Sequence, residues 1–298
     1  MTGATCGCGT ASRAATSTPT RMGWGISVDG SRASLNTAWA VHVYHGPLQC
    51  RGQGHGMYLL LHSAAYGRYL AATDRPAPRG HCGFRVVQRN YDQQQLEAVM
   101  WQVTGVGAAN ALLLRNVGGC YLRANGKFCW WNNGVTVDQF ENLSTMMHWI
   151  VEPIPPRDGM PAISGAPVRD RHPGDLSVVL RLRRPEARRV IRFVRANNPE
   201  AWLEFDYRSR SVYRLRIELA NRLGLIDRFT SLIMCVRAGR YGKLTPLIEN
   251  LPRDRDGVTI EIVVLMSGTP AANELRHPNV DIRRVEEDQS GNPDSSPL

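Results

Sequence analysis

Lysine is almost absent from this sequence: Lys127 and Lys243 are the only two in 298 residues, so nearly all of the basic charge behind a formal net charge of +10 is arginine. A balance of this sign suits a polyanionic partner such as nucleic acid, an anionic lipid surface or an acidic filament. Arginine is accompanied here by abundant Ala, Gly and Pro, residues that share GC-rich codons, so charge alone points to no site. There is no unbroken apolar run approaching ~18 residues, which argues against a transmembrane helix; the longest candidate, 260–266, has the length of a strand. No secretory signal peptide is evident, and the seven cysteines, at positions 6, 8, 50, 82, 120, 129 and 235, are odd in number and scattered. They read as free thiols in a reducing compartment, hence a cytoplasmic protein, and the Asn142-Leu143-Ser144 sequon would matter only in a secreted one.

Catalytic motifs are missing as well. The eight histidines have no Ser or Cys partner in a nucleophile motif, and there is no Gly-x-Ser-x-Gly and no His-Glu-x-x-His. In 239–245 the glycine spacing is too short for a phosphate loop and Leu244 stands where Ser or Thr would hold magnesium, so a tight hairpin turn is expected. Neither Cys6-Gly-Cys8 nor the set His81, Cys82, Cys120 and Cys129 has the paired spacing of a metal site. The expectation is a protein without catalytic residues, metal or cofactor. Residues 1–24 carry two arginines, no acid and hardly any large apolar side chain, so a disordered leader is expected there. As an organelle transit peptide the stretch lacks the amphipathic pattern.

What is present is repetition. Leu59-Leu60-Leu61-His62 followed by Tyr69-Leu70 returns as Leu112-Leu113-Leu114-Arg115 followed by Tyr121-Leu122. The unit closes on Trp101-Gln102-Val103, which returns as Trp149-Ile150-Val151 and occurs upstream as Trp39-Ala40-Val41. Short apolar runs broken by Gly, Asn, Asp and Pro mark these repeats as β structure. Three copies of a four-strand unit make a β-trefoil. Strand alternation puts Trp39, Val41 and Val43 on one face, and likewise Trp101 with Val103 and Trp149 with Val151, so these are expected core positions, with the tryptophans as buried anchors. Repeat one begins only at about Gly25, and its two opening strands find no counterpart in 1–24. A trefoil with a truncated first repeat, open and marginally stable, is therefore expected over 25–155.

Residues 156–175 read as a Pro/Gly-rich linker, and a second domain is expected over 176–268. Arg189–Arg195 and Trp202–Tyr207 alternate around an Asn197-Asn198-Pro199-Glu200 turn and are expected to form a hairpin. Ser211 can cap a helix carrying Val212, Leu215, Leu219 and Leu223 on one face, with Gly224 stopping it. Strands at Leu232–Arg237 and Val258–Leu265 complete a ββαββ order, which fits an α+β ubiquitin-like β-grasp domain. Residues 269–298, ending in Glu286-Glu287-Asp288 and a polar tail, are expected to be mostly disordered.

Tyr58–Leu70, the stretch Val-Gly-Gly-Cys-Tyr-Leu-Arg-Ala-Asn-Gly at 117–126 and Met146–Pro153 closely resemble the plant family called domain of unknown function 569, whose members are described as fascin-like or actin-cross-linking β-trefoils. Cys235–Pro246 is similar to the ubiquitin-like module attached to it. The resemblance implies a mainly β, non-enzymatic protein-binding or scaffold protein, with actin as a partner by fascin-like analogy. It supplies no site residues. A ricin-type lectin would carry Gln-x-Trp, whereas Thr37, Val99 and Met147 stand two places before the three tryptophans.

The strongest charged stretch is Arg181–Arg195, with arginines at 181, 183, 184, 188, 189, 192 and 195 and only Glu186 opposing them. Arginine forks suit phosphate and carboxylate, which makes Arg188, Arg189, Arg192 and Arg195 candidate contacts for nucleic acid or anionic lipid. The competing expectation is that they cover and guard a strand.

Overall fold

The computed structural model describes residues 4–10, 13–19, 25–29, 34–47, 55–92, 96–105, 111–125, 134–139, 141, 144–163, 165, 188–252 and 258–281. The chain divides into two compact units, one built from 1–160, 237–245 and 276–298 and the other from 161–236 and 246–275.

The first unit holds a 12-stranded sheet. Repeat one supplies β1 (Ala4–Thr10), β2 (Arg13–Pro19), β3 (Ile26–Asp29) and β4 (Ala38–Pro47). Repeat two supplies β5 (His55–Ser63), β6 (Tyr69–Pro76), β7 (Phe84–Arg89) and, after the short helix α1 (Leu96–Val99), β8 (Trp101–Gly105). Repeat three supplies β9 (Ala111–Asn116), β10 (Tyr121–Ala124), β11 (Val135–Asp138) and β12 (Trp149–Pro153). First and fourth strands form an antiparallel ring, β1 to β4 to β5 to β8 to β9 to β12 and back to β1. The middle strands form three hairpins, β2–β3, β6–β7 and β10–β11. These meet through the β7–β11 pairing and the bridges Gly25↔Val87 and Ser27↔Gly134. The fold is a β-trefoil.

Two sequence expectations are corrected here. The supposed leader contains β1 and β2, and the supposed open ring is closed, because β1 lies between β4 and β12 and pairs with both. A strand so placed is held by backbone hydrogen bonds on two sides and needs no apolar run of its own, while without it the edges of β4 and β12 would be unpaired. Truncation describes the sequence of repeat one, which lacks the Leu-Leu-Leu and Tyr-Leu motifs; in the sheet, β1 and β2 take the places of its opening strands.

Trp39, Trp101 and Trp149 are fully buried in one cluster with Ile26, Leu61, Leu70, Leu114, Leu122 and Val137. Trp101 Nε1 donates to the Leu70 carbonyl at 3.0 Å and Trp149 Nε1 donates to the Leu122 carbonyl at 2.9 Å, equivalent bonds in repeats two and three. A buried indole N–H needs such an acceptor. The valines that follow depart from the expectation. Val41 packs partly against the core, but Val43, Val103 and Val151 are 47, 44 and 39% exposed. Val103 and Val151 lie two residues beyond their tryptophans and Val43 lies four beyond Trp39, an advance of roughly 7 to 14 Å along the strand, which carries the face past the tryptophan layer to the mouth of the barrel.

The five-stranded sheet contains β14 (Arg189–Arg195), β15 (Asn198–Tyr207), β16 (Leu232–Arg237), β17 (Leu244–Pro246) and β18 (Val258–Met266), with helix α2 (Val212–Arg222); Arg237 and Leu244–Thr245 are counted with the first unit and the rest with the second. The sheet order is β15-β14-β18-β16-β17, with β14 and β18 parallel at its centre. This is a ubiquitin-like β-grasp with one strand more than expected; β17 is three residues long and carries no alternation to read. Ser211 Oγ accepts the Arg214 N–H at 3.2 Å to start α2, whose Val212, Leu215 and Leu219 are buried, and Gly224 at φ +65° ends it.

The expected linker and tail also contain structure. Thr269 caps α3 (Pro270–Asn273). Within the first unit, β13 (Pro156–Arg157) pairs with β19 (His277–Pro278), Asn279 N–H donates to the Pro155 carbonyl at 2.8 Å, and Arg157 bonds Asp281 at 2.9 Å. Proline at both strands limits this pairing to a short stretch without excluding it. Residues 166–175 of the linker, the expected start of the second domain at 176, and 282–298 of the tail lie outside the described residues.

Candidate functional site

The most organised polar cluster of the first unit gathers His42 on β4, His62 on β5, Tyr69 on β6, Tyr91 just after β7, and the segment 237–245. His62 closes the Leu59–Leu61 run and pairs in register with Tyr69 across the β5–β6 hairpin. Ring centroids lie 5.1 Å apart for His42 and His62, 4.8 Å for His62 and Tyr69, 5.0 Å for Tyr69 and Tyr91, and 5.9 Å for Tyr91 and Tyr241. His62 Nε2 and Thr245 Oγ1 form a buried hydrogen-bonded pair at 3.0 Å. Tyr91 N–H donates to the Ala238 carbonyl at 2.8 Å, Tyr241 N–H donates to the Tyr91 carbonyl at 3.1 Å, and Arg240 N–H donates to Asp92 Oδ1 at 2.8 Å. The turn at Gly239 needs glycine: φ is +88° and a Cβ would sit 2.7 Å from the Tyr91 carbonyl oxygen.

Burial dominates the electrostatics. It takes His62 down to about 3, with the His42 and Lys243 charges adding, and His42 down to about 4, with Lys243 adding. It also pushes Tyr69 up to about 12. Both imidazoles are therefore neutral near pH 7 and the phenol keeps its proton, whereas acid–base catalysis works best with a group whose pKa lies near the operating pH. The cluster acts as a neutral aromatic joint that holds 237–245 in place. Nothing in the sequence motifs marked it; the one signal is that His62 stands where the third repeat has Arg115.

The four candidate arginines separate in the structure. Arg188 Nε and Nη2 donate to the two carboxylate oxygens of Asp206 at 2.8 and 2.7 Å, an exposed bidentate pair that holds the Asp206 carboxyl below its usual range. Arg192 Nη1 bonds Glu261 at 3.1 Å and its guanidinium lies 4.9 Å from the Trp202 ring. Arg195 donates to the Leu223 carbonyl at the C-terminal end of α2. Arg189 departs from the expectation of an exposed contact: it is 1% exposed and donates to the carbonyls of Ser209 and Pro252 at 3.2 and 2.6 Å, so it braces the fold. Arg181, Arg183 and Arg184 lie outside the described residues.

Cys82, Cys120 and Cys235 are free thiols, and burial pushes Cys235 up to about 12. Cys50 and Cys129 lie outside the described residues, as do the side chains of Cys6 and Cys8 and most of the Asn142 sequon. Among the described residues no group of three or more His, Cys, Asp or Glu is placed to hold a metal ion, and no helix is long and apolar enough to cross a membrane.

The remaining feature is the barrel mouth. Register sets the C-terminal ends of β4, β8 and β12 and the start of β5 at the same end of the ring, so Val43, Val103, Val151 and Met57, which is 63% exposed, all lie at that end.

Residues 29–152 match the family model described as the beta-trefoil domain of unknown function DUF569, and residues 187–265 match the DUF569 associated ubiquitin-like domain. This chain carries the DUF569 trefoil and its associated ubiquitin-like domain. The DUF569 match begins at residue 29, which agrees with a first repeat that lacks the motifs of the other two. No curated protein matches the chain. Among solved structures, the Macrolepiota procera ricin B-like lectin in complex with lactose is similar at 16% identity, over 51% of this chain and 96% of that one, with a TM-score of 0.39. The SDF2-like protein from Arabidopsis thaliana is similar at 13%, over 50% and 92%, with a TM-score of 0.39. The designed three-fold symmetric protein ThreeFoil is similar at 14%, over 49% and 96%, with a TM-score of 0.38. At these values the likeness assigns no function to the DUF569 chain.

Proposed function

We propose that this protein is a non-enzymatic binding scaffold whose trefoil engages a protein partner, filamentous actin, through the apolar barrel mouth. The observation that supports the reading is the exposure of Val43, Met57, Val103 and Val151 at one end of the ring. Grouped apolar side chains that face water gain free energy when a partner covers them, and such patches mark interaction sites. The test is co-sedimentation with filamentous actin at low and at ~0.3 M salt, comparing the protein with a Val103→Glu/Val151→Glu variant and with an Arg188→Ala/Arg192→Ala/Arg195→Ala variant. Salt-resistant pelleting that the valine substitutions abolish supports the reading. Pelleting that disappears with salt and with the arginines moves the contact to an anionic surface, and no pelleting removes actin as the partner.

A further inference from the structure

The three hairpins of the trefoil meet through one repeated pairing: Ser27 with Gly134, Val87 with Gly25, and Thr136 with Arg85. Ser27, Val87 and Thr136 are therefore equivalent positions, and so are the residues that follow them, Val28, Gln88 and Val137. Strand alternation turns these three inward together with Ile26, Val86 and Val135. Five of the six are apolar and belong to, or pack against, the cluster that holds the three tryptophans. The sixth, Gln88, is an amide. It pairs in register with Leu70 as Val137 pairs with Leu122, so the topology puts it at a core position.

Gln88 is 0% exposed, and among the described residues neither its Oε1 nor its Nε2 has a hydrogen-bond partner. The carbonyl of its register partner, Leu70, already accepts the Trp101 indole N–H. Ser63, two residues beyond the core residue Leu61 on β5, is also 0% exposed, and its Oγ likewise has no partner among the described residues. A buried amide that bonds nothing has given up its hydration without return, and native interiors rarely leave one so. Volume alone does not account for the amide, since methionine fills a similar space with no group that must be bonded. Apolar cavities stay dry, whereas buried sites with unsatisfied polar groups hold ordered water.

We propose that the trefoil core contains a binding site for ordered water at Gln88, built into repeat two and absent at the equivalent positions of repeats one and three. The amide offers one acceptor and two donors, and water is the ligand class that answers both. It is also small enough for a core position closed to solvent. Val28 and Val137 carry no polar atom and call for no such ligand. The pseudo-threefold core is therefore apolar at two of its three equivalent positions and hydrated at the third.

The experiment combines a high-resolution crystal structure of the full-length protein with water magnetic relaxation dispersion, which counts long-lived internal waters in solution. Two variants serve as comparison: Gln88→Met, which keeps the length of the side chain, and Gln88→Val, which copies the residue of the other two repeats. Circular dichroism confirms that each is folded. The expected result is water density within hydrogen-bonding distance of the Gln88 amide, and a dispersion amplitude smaller by at least one long-lived water in the folded variants. Density in which the amide bonds protein atoms directly, with no water beside it, overturns the proposal. An amplitude unchanged by either substitution overturns it as well. If both variants fail to fold, the crystal structure of the unaltered protein decides, because the presence or absence of density at Gln88 needs no comparison.

Discussion

Acidification should loosen the His42–His62 joint, and the size of the effect follows from the geometry. The folded protein holds His62 near 3 and His42 near 4, whereas an unfolded chain titrates both near 6.5. With the folded values depressed, the unfolded state binds more protons between about pH 4 and 6.5, so stability rises with pH across that window and is lost as pH falls. At pH 5 the unfolded chain has gained nearly a full proton at each imidazole while the folded form has gained almost none. Relative to pH 7.5 this removes about 2 kcal/mol for the buried His62. Solvent screening at the less buried His42 reduces its share to about 1 kcal/mol. The assay compares urea unfolding of the protein and of His62→Gln at pH 7.5 and 5, with amide exchange at Tyr91 and Tyr241 reporting the 237–245 contacts directly. Glutamine keeps a hydrogen-bonding group near Thr245 and does not titrate, so the variant should lose about 2 kcal/mol less on acidification. Equal losses in the two proteins would refute the reasoning.

Trp101→Phe removes the donor to the Leu70 carbonyl and leaves a void in the shared core, and should cost about 2–4 kcal/mol in denaturant unfolding. Gly239→Ala meets both a positive φ and the Tyr91 carbonyl oxygen, and should cost about 2 kcal/mol or more while speeding exchange of the Tyr241 amide. Arg189→Leu strips two carbonyls of their donor inside the fold and should cost about 2–4 kcal/mol, whereas Arg188→Ala breaks an exposed, solvent-screened pair and should leave the melting temperature nearly unchanged. Thermal melts of the two arginine variants side by side check that ordering.

The trefoil was legible in the sequence where side chains define it. Leu-Leu-Leu runs, Tyr-Leu pairs and recurring tryptophans mark β5, β6, β8, β9, β10, β12 and the end of repeat one, because each places an apolar residue where the barrel needs volume. β1 and β2 were not legible, since Thr, Ala and Gly at those positions give no alternation and pairing on both sides supplies what apolar burial does elsewhere. Periodicity also ran too far at Val43, Val103 and Val151: the face it defines is correct, but a barrel has an end, and alternation does not say where. In the second unit the capped helix α2 was legible from Ser211, and the hairpin was legible although its turn lies at Ala196-Asn197 and Asn198–Glu200, expected in the turn, belong to β15. The burial of Arg189 was not, because an arginine in a basic run looks alike whether its fork meets solvent or carbonyls. The joint at His62 depends on a partner at Thr245, 183 residues away, and no local pattern encodes such a pair.

The closed ring rests on β1, so amide hydrogen exchange across residues 4–10 of the intact protein tests the account most directly. Pairing with both β4 and β12 predicts protection of these amides comparable to that of β12 itself. Exchange at the rate of an unpaired peptide would contradict it and return repeat one to an open edge.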